Sequence, residues 1–374
     1  MLQNKIYQNY FIEIIKTFLT IVLGLSLIAL TVRAVNFLEL IVDNGYPVTT
    51  YFQYSILNIF GIAPKFMPLA FFISVIIFII KHQGDSEFII LWTSGVKKLQ
   101  LVNLILFSSI TVLIIYLVFS AFLTPLALNK SRQLLTADQL NSFLPTIRSQ
   151  QFSDSFKGFT FIVDDKVNNE VNNIFIHDTN NNLKNFSSNI GNVSSTTIIA
   201  NQGIINNRKM LLINGQIISS KKKEEVEVIN FEQLDISLSD LSTATIKMPK
   251  LQEISTLKLL SCFVKDSNEK KFCNKDAKKE IIPNLIRRLI LPFYIPVVSL
   301  LCSFLLIKKN INLLERMTIY LFTFLLIVLT ELFIRYTGIN YQIRSTYIIL
   351  PFVLIISAYL ILNYKLKKFN KIYE

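Results

Sequence analysis

Five arginines lie near the ends of long apolar segments, where charged residues are otherwise few. They are Arg33, Arg287, Arg288, Arg335 and Arg344. A guanidinium group forks two hydrogen bonds onto a phosphate or a carboxylate, so arginines in this setting suit an anionic amphiphile. Anchoring at lipid head groups is the alternative for each of them. For Arg335 a pair with Glu331, four residues earlier on a helix, is a further alternative.

The segments that would position these arginines are long enough to cross a membrane. The chain is 52% hydrophobic and 17% charged, with a mean hydropathy of +0.47. A bilayer-spanning helix needs roughly 17–25 mostly apolar residues. Six segments qualify or nearly do: 14–32, 66–80, 99–123, 289–307, 317–333 and 347–364. They have no polar face, which argues against the core helices of a large soluble protein. Arg33 interrupts the cleavage site of a signal peptide, so we expect the first segment to be retained.

The distribution of lysine and arginine predicts the orientation of these segments. Short loops rich in basic residues face the cytoplasm. The basic residues on one side are Lys5, Lys16, Lys81, Lys97, Lys98, Lys308, Lys309, Arg316, Lys365, Lys367, Lys368 and Lys371. We therefore expect both termini and the loop 82–98 in the cytoplasm. The same bias explains the net charge of +13 without a nucleic-acid partner.

The polar stretch between the third and fourth segments is predicted to be an all-β domain outside the cytoplasm. In "GFTFIVDD" (158–165), Phe159, Phe161 and Val163 alternate onto one face. In "KMLLINGQII" (209–218), the pair Asn214-Gly215 between two apolar triplets predicts a tight hairpin. We expect a sandwich or an open jelly roll. The predicted domains are 1–128 with the first three spans, 129–280 with the β domain and a connecting segment, and 281–374 with the last three spans.

Two of the cysteines lie on the predicted non-cytoplasmic side. Cys262 and Cys273 would form a disulfide in an oxidising periplasm, or remain two free thiols. The sequence leaves both alternatives open, and Cys302, within a predicted span, makes the total odd.

Motifs that would carry catalysis are missing from the sequence. The two histidines, His82 and His177, are predicted on opposite sides of the membrane, so they cannot share a site. The chain has no G-x-x-x-x-G-K, G-x-S-x-G, HExxH or CxxC motif. We therefore expect a protein that is not an enzyme, with no catalytic residue, no metal and no cofactor bound by this chain.

The loop between the second and third spans contains the half-apolar stretch "SEFIILWTSG" (86–95). Asp85 or Ser86 would cap a short helix over 86–94, Glu87 suits its first turn, and Gly95 would end it. Such a helix would dock into a groove on a soluble partner, or lie on the membrane with Trp92 as its anchor. The residues alone favour neither alternative.

The loop and several other stretches together resemble one family. "SEFIILWTSGV" is similar to the S-E-x-x-x-x-x-x-x-G signature between the second and third spans of the LptF/LptG (YjgP/YjgQ) permeases of lipopolysaccharide export. The following stretches resemble the family in the same order: "YFIEIIKTFLTIVLGLSLIAL" (10–30), "DNGYP" (43–47), "IIANQG" (198–203), "LLINGQI" (211–217), "VINFEQLDISL" (228–238) and "RRLILPF" (287–293). The "FLELIVDNGYP" turn favours the LptF-like branch.

The resemblance implies an α-helical inner-membrane protein with six transmembrane helices and an inserted periplasmic β-jellyroll. Such a permease pairs with a paralogue, binds a cytoplasmic ABC ATPase dimer that carries ATP and Mg²⁺, and passes lipopolysaccharide to LptC/LptA-like bridge proteins. By the same resemblance, Glu87 would meet the ATPase while Phe88, Leu91 and Trp92 fill its groove. Arg33 would face lipid phosphates, and Phe159, Phe161 and Ile213 would hold acyl chains.

Two other functions are consistent with the residues. One is the membrane subunit of another ATP-driven system, such as lipoprotein release, although those subunits usually have four spans. The other is a membrane scaffold without transport, which would not need a cytoplasmic docking helix.

Overall fold

The structure is a computed structural model. It describes residues 5–38, 41, 46–138, 149–156, 159–167, 169–179, 193–206, 209–221, 226–237, 249–264, 273, 275–307 and 312–373. Contacts within the chain divide it into two units, one of residues 1–31, 58–129 and 250–374, and one of residues 32–57 and 130–249.

Helices make up most of the first unit. The described helices are α1 Lys5–Phe37, α2 Val48–Gly84, α3 Glu87–Thr93, α4 Lys98–Val118, α5 Thr124–Asp138, α6 Thr256–Val264, α7 Lys275–Leu289, α8 Tyr294–Ser303, α9 Leu313–Ile334 and α10 Tyr341–Tyr373. A π-helical turn, Phe119–Leu123, joins α4 to α5, and short 3-10 turns lie at Leu251–Glu253, Leu291–Phe293, Phe304–Leu306 and Arg335–Gly338.

Six helical segments are long and apolar enough to cross a membrane, which confirms the six predicted spans. Their bounds are Lys5–Phe37, Val48–Gly84, Lys98–Leu135, Ala277–Leu306, Leu313–Gly338 and Tyr341–Lys367. Each is longer than its apolar run, because a helix continues past the membrane core into polar residues that still form its backbone hydrogen bonds.

The six spans contribute unequally to the packed core. Within each apolar window, 67% of α2, 50% of α4–α5 and 72% of α7–α8 is buried, against 17% of α1, 17% of α9 and 22% of α10. Small residues allow the central helices to approach, and the hydroxyls of Ser109 and Ser299 lie 3.3 Å apart. Helices α2, α4 and α7–α8 are thus the most buried of the spans, while α1, α9 and α10 keep broad apolar faces open.

Helix α1 packs on the core with one stripe of side chains. Its buried residues recur every three or four positions: Tyr7, Tyr10, Ile14, Phe18, Val22 and Ser26. This spacing places them on one face of a helix, and the remaining faces of α1 stay uncovered.

The second unit contains one six-stranded antiparallel sheet in the order β1-β2-β3-β4-β5-β6. The strands are β1 Ser153–Phe156, β2 Phe159–Val167, β3 Glu170–Asp178, β4 Val193–Asn206, β5 Lys209–Lys221 and β6 Val226–Ser237. Each strand pairs with its sequence neighbour, and one face carries a core that includes Phe161, Val163 and Leu212. The predicted all-β insertion is confirmed as a single meandering sheet.

The hairpin predicted at Asn214-Gly215 is wrong. Strand β5 runs through both residues, and Gly215 pairs with Ala200 on one side and Phe231 on the other. A Cβ at position 215 would collide with the carbonyl oxygen of Ile199. Glycine is thus required for close strand approach rather than for a turn. The reversal lies between Asn206 and Lys209, which pair directly.

Two asparagines with positive φ interrupt the alternation of buried and exposed side chains along their strands. Asn173 has φ of 49° and Asn214 has φ of 50°, and both stand within strands. Buried positions are consequently three apart at Val171 and Ile174, instead of two. Leu212 is fully buried, whereas its neighbour Ile213 points to the opposite face and stays only half-buried. The prediction that Ile213 faces inward with Phe161 is therefore wrong.

Candidate functional site

The short helix α3, Glu87–Thr93, connects the second and third spans and is one residue shorter at each end than predicted. Ser86 precedes it with φ of 60°, and its hydroxyl makes no capping bond, so the predicted side-chain cap by Ser86 is wrong. Gly95 ends the helix as predicted, with φ of 93°. The amide of Gly95 donates to Trp92 O at 3.2 Å and that of Val96 to Leu91 O at 3.0 Å, which is a Schellman motif.

The apolar face of α3 is covered by the protein itself. Phe88 is 1% exposed and Leu91 is 8% exposed, and both belong to the core of the helical unit. Trp92 is half-buried, with Lys98 Nζ 4.3 Å from its ring centroid. Phe88 and Leu91, which the resemblance predicts to fill a partner's groove, are thus covered by their own chain, and that role stays a prediction.

The outward face of α3 presents a different residue. Ile90 is 64% exposed on a helix whose opposite face is fixed in the bundle. Residues around it that are also exposed are Asp85, Ser86, Thr93 and Ser94. An isolated branched apolar side chain framed by polar groups is suited to insertion into a pocket on another protein.

We expect Phe88→Ala to destabilise the protein by about 3 kcal/mol or more, because Phe88 is enclosed and stacks near Trp92 and His82. Thermal unfolding in detergent measures the change. Ile90→Ala, a truncation on the exposed side of the same helix, is the control and should change stability by at most about 0.5 kcal/mol. Equal losses in the two variants would contradict the burial of Phe88.

A polar cluster lies where α1, α2 and α3 meet. Tyr10 OH donates to Glu87 Oε2 at 3.2 Å, and His82 Nε2 lies 3.4 Å from the same carboxylate and 3.3 Å from Glu13 Oε2. Lys81 Nζ is 2.6 Å from Glu13 Oε1. The sequence points to Glu87 but not to the residues that contact it. No local pattern relates Tyr10 and Glu13 to a loop about 70 residues later in the chain.

Arg288 is only 5% exposed, and its guanidinium group makes hydrogen bonds within the protein. Its Nη1 donates to Ile254 O at 2.9 Å and Thr256 Oγ1 at 3.0 Å, and its Nη2 donates to Leu251 O at 3.0 Å and Gln252 O at 3.1 Å. Thr256 in turn donates to Ala121 O at 2.7 Å in the π-helical turn. Lipid binding by Arg288 stays a prediction, and in this structure its guanidinium fastens the 251–256 segment to α7.

Arg287 pairs with Glu331 of α9, with Nη2 and Oε2 2.9 Å apart. This contact replaces the i,i+4 alternative between Glu331 and Arg335. Arg287 and Arg288 both line a niche of about 40 Å³ together with Lys65, Asn284 and Tyr116. A niche of this size holds water molecules, not a lipid head group.

The other three arginines are more open. Arg33 in α1 and Arg335 at the end of α9 are exposed, and Arg344 is half-buried with its guanidinium carbon 4.9 Å from the centroid of the Tyr341 ring. The structure thus sorts the five predicted arginines into two that hold helices together and three whose side chains reach the protein surface.

The remaining predicted residues fall in two regions. Phe161 is buried on the apolar face of the sheet, while the side chain of Phe159 lies outside the described residues. Cys262 and Cys273 are joined in a disulfide beside α6, and Cys302 is buried in α8. Within the described ranges, no three His, Cys, Asp or Glu side chains are grouped to hold a metal.

The comparisons with known proteins agree with this architecture. The family model for the lipopolysaccharide export system permease LptF/LptG matches residues 10–365. A comparison with curated proteins gave no match. The family model covers both branches, so the LptF-like assignment stays a prediction. With six membrane-spanning segments, an inserted β domain and a match over nearly the whole length, the chain belongs to the LptF/LptG family of lipopolysaccharide export permeases and is a multi-pass inner-membrane protein.

Proposed function

We propose that this permease is a subunit of an ATP-driven exporter, and that α3 is where a separate ATPase acts on it. The ATPase carries ATP and Mg²⁺, and this chain supplies no catalytic residue. Both termini and α3 face the cytoplasm, and the β domain lies in the periplasm. The basic residues in the short loops support this orientation.

The observation that carries the proposal is the two-sided character of α3. Phe88 and Leu91 fix one side in the core, so a force on the helix is transmitted to the bundle. Ile90 on the other side is 64% exposed, in a loop that the positive-inside bias assigns to the cytoplasm. A soluble partner there would cover Ile90, while Glu87 is held mainly by the chain's own Tyr10 and His82.

The open faces of α1, α9 and α10 support a role in lipid movement. These three spans leave most of their apolar surface uncovered by this chain. A groove of about 540 Å³ between α8 and α9 is lined almost wholly by apolar residues, including Leu301, Phe304 and Phe322. A paralogous permease would close these faces into a shared path for acyl chains, with Arg335 and Arg344 available to phosphates. Arg33, which is exposed, is a separate candidate for a phosphate contact.

The apolar face of the sheet supports a role in receiving the lipid after it leaves the membrane-spanning helices. Phe161 and Val163 belong to a buried apolar cluster that extends to Ile236 of the last strand. We propose that the β domain receives the acyl chains there and passes the lipid to LptC/LptA-like bridge proteins.

The test replaces Ile90 with aspartate in the chain co-expressed with its paralogue and ATPase. An aspartate in a desolvated pocket should weaken ATPase binding by at least about tenfold, since central apolar contacts often contribute about 2 kcal/mol or more. Co-purification and lipid-stimulated ATP hydrolysis measure the effect. Both should be lost while the two membrane subunits remain paired.

The control is Leu313→Asp, because Leu313 is 77% exposed and begins α9 beside basic residues assigned to the same side. It should leave ATPase binding unchanged. If Ile90→Asp binds the ATPase normally, α3 is not the contact. Mass spectrometry of the co-purified lipid separates the functions, since a lipoprotein in place of lipopolysaccharide would favour a lipoprotein-release system.

A further inference from the structure

His82 lies at the junction of three helices and is only 2% exposed. Its Nδ1 is 2.9 Å from Phe78 O, a backbone carbonyl that can only accept a hydrogen bond. Its Nε2 faces the carboxylates of Glu13 and Glu87 at 3.3 and 3.4 Å. Both ring nitrogens of His82 therefore lie beside oxygen atoms, one on its own helix and two on the neighbouring helices.

The groups around His82 come from all three helices. On α1, Glu13 and the Tyr10 ring contact it, and on α2 the neighbouring Lys81 pairs with the second oxygen of Glu13. On α3, Glu87 faces it and the Phe88 ring lies 5.6 Å away at an interplanar angle of 19°. The His82 ring thus lies between two carboxylates, one of which also pairs with the Lys81 ammonium.

We propose that His82 is a positioning residue that ties Glu87 of α3 to Glu13 of α1, so that these helices move together when the ATPase acts on α3. The inference rests on the proposed function of α3. It adds a route by which movement reaches α1, since Glu13 lies on the helix whose open faces are proposed to contact lipid. The His82 ring is the contact between the two carboxylates, and its loss would let α3 move without α1.

The test uses the complete complex in proteoliposomes and compares wild type, His82→Gln and His82→Lys. Glutamine removes the ring that lies between the carboxylates, whereas lysine places a cation there. With His82→Gln we expect ATPase binding and ATP hydrolysis to remain, and lipid released per ATP to fall within the roughly 5–150-fold range typical of coupling between sites. His82→Lys should recover most of the release.

A further readout separates this role from simple stability. Spin labels at Ile12→Cys of α1 and Ile90→Cys of α3, both on exposed positions, should show a broader distance distribution in His82→Gln than in wild type or His82→Lys.

Unchanged release per ATP and unchanged label distances in His82→Gln would overturn the inference, as would a His82→Lys variant no better than His82→Gln. The distances between the spin labels can be measured without the ATPase. If Ile90→Asp fails to affect ATPase binding while the labels still respond to His82, the proposed docking by α3 is wrong, but the tie between α1 and α3 stands.

Discussion

Arg288→Met is expected to lower the free energy of unfolding by about 3 kcal/mol or more. The substitution keeps a long side chain but removes every donor to Leu251 O, Gln252 O and Ile254 O. A buried polar group left without a partner costs about 1–3 kcal/mol, and these losses are not additive. The 251–256 segment should detach from α7, and Thr256 should then lose its fixed position against the π-helical turn.

The neighbouring arginine supplies the control. Arg287→Met breaks a pair with Glu331 in which both side chains are partly exposed, 31% and 39%. Exposed pairs contribute about 0–1 kcal/mol, so the midpoint of thermal unfolding should move far less than for Arg288→Met. Circular dichroism of the detergent-solubilised protein measures both variants. Similar shifts would show that the contacts of Arg288 do not secure this segment.

Gly338→Ala is expected to have the second large effect. Gly338 closes the 3-10 turn after α9, and a Cβ there would overlap the backbone carbonyl of Lys279 and lie 2.9 Å from Pro283 Cγ. Neither a carbonyl within α7 nor a proline ring can rotate away, so α7 would have to move away from the turn. Overpacking of this kind costs about 1–3 kcal/mol, and more where backbone must shift.

Gly24→Ala is the matched control, because Gly24 lies in α1 with nothing within 4 Å of an added Cβ. Alanine forms helix more readily than glycine by about 1 kcal/mol, so this variant should be neutral or more stable. The measurement is again thermal unfolding, supported by the yield of folded protein after solubilisation. A Gly338→Ala variant as stable as Gly24→Ala would mean that α7 and the turn do not touch as described.

Local sequence patterns are enough to predict the six spans and the β insertion, and the order of the matching stretches along the chain is enough to predict the family. A backbone in lipid must satisfy its hydrogen bonds within one segment, so a long apolar run specifies a helix without reference to the rest of the chain. Alternation in "GFTFIVDD" likewise specified a strand with Phe161 and Val163 on one face. These features depend on residues within one element, and local patterns report them directly.

Whether a given side chain is paired, buried or exposed depends on the tertiary structure. Arg287 and Arg288 are adjacent and identical in type, yet one pairs with α9 and the other holds the 251–256 segment. Asn214-Gly215 has the composition of a turn, but it lies within β5, which pairs with β4 on one side and β6 on the other. On α3, Phe88 lies inside and Ile90 outside because α2 and α1 approach from one side. Each outcome depends on contacts with residues that are distant in the chain, and the local sequence does not identify those residues.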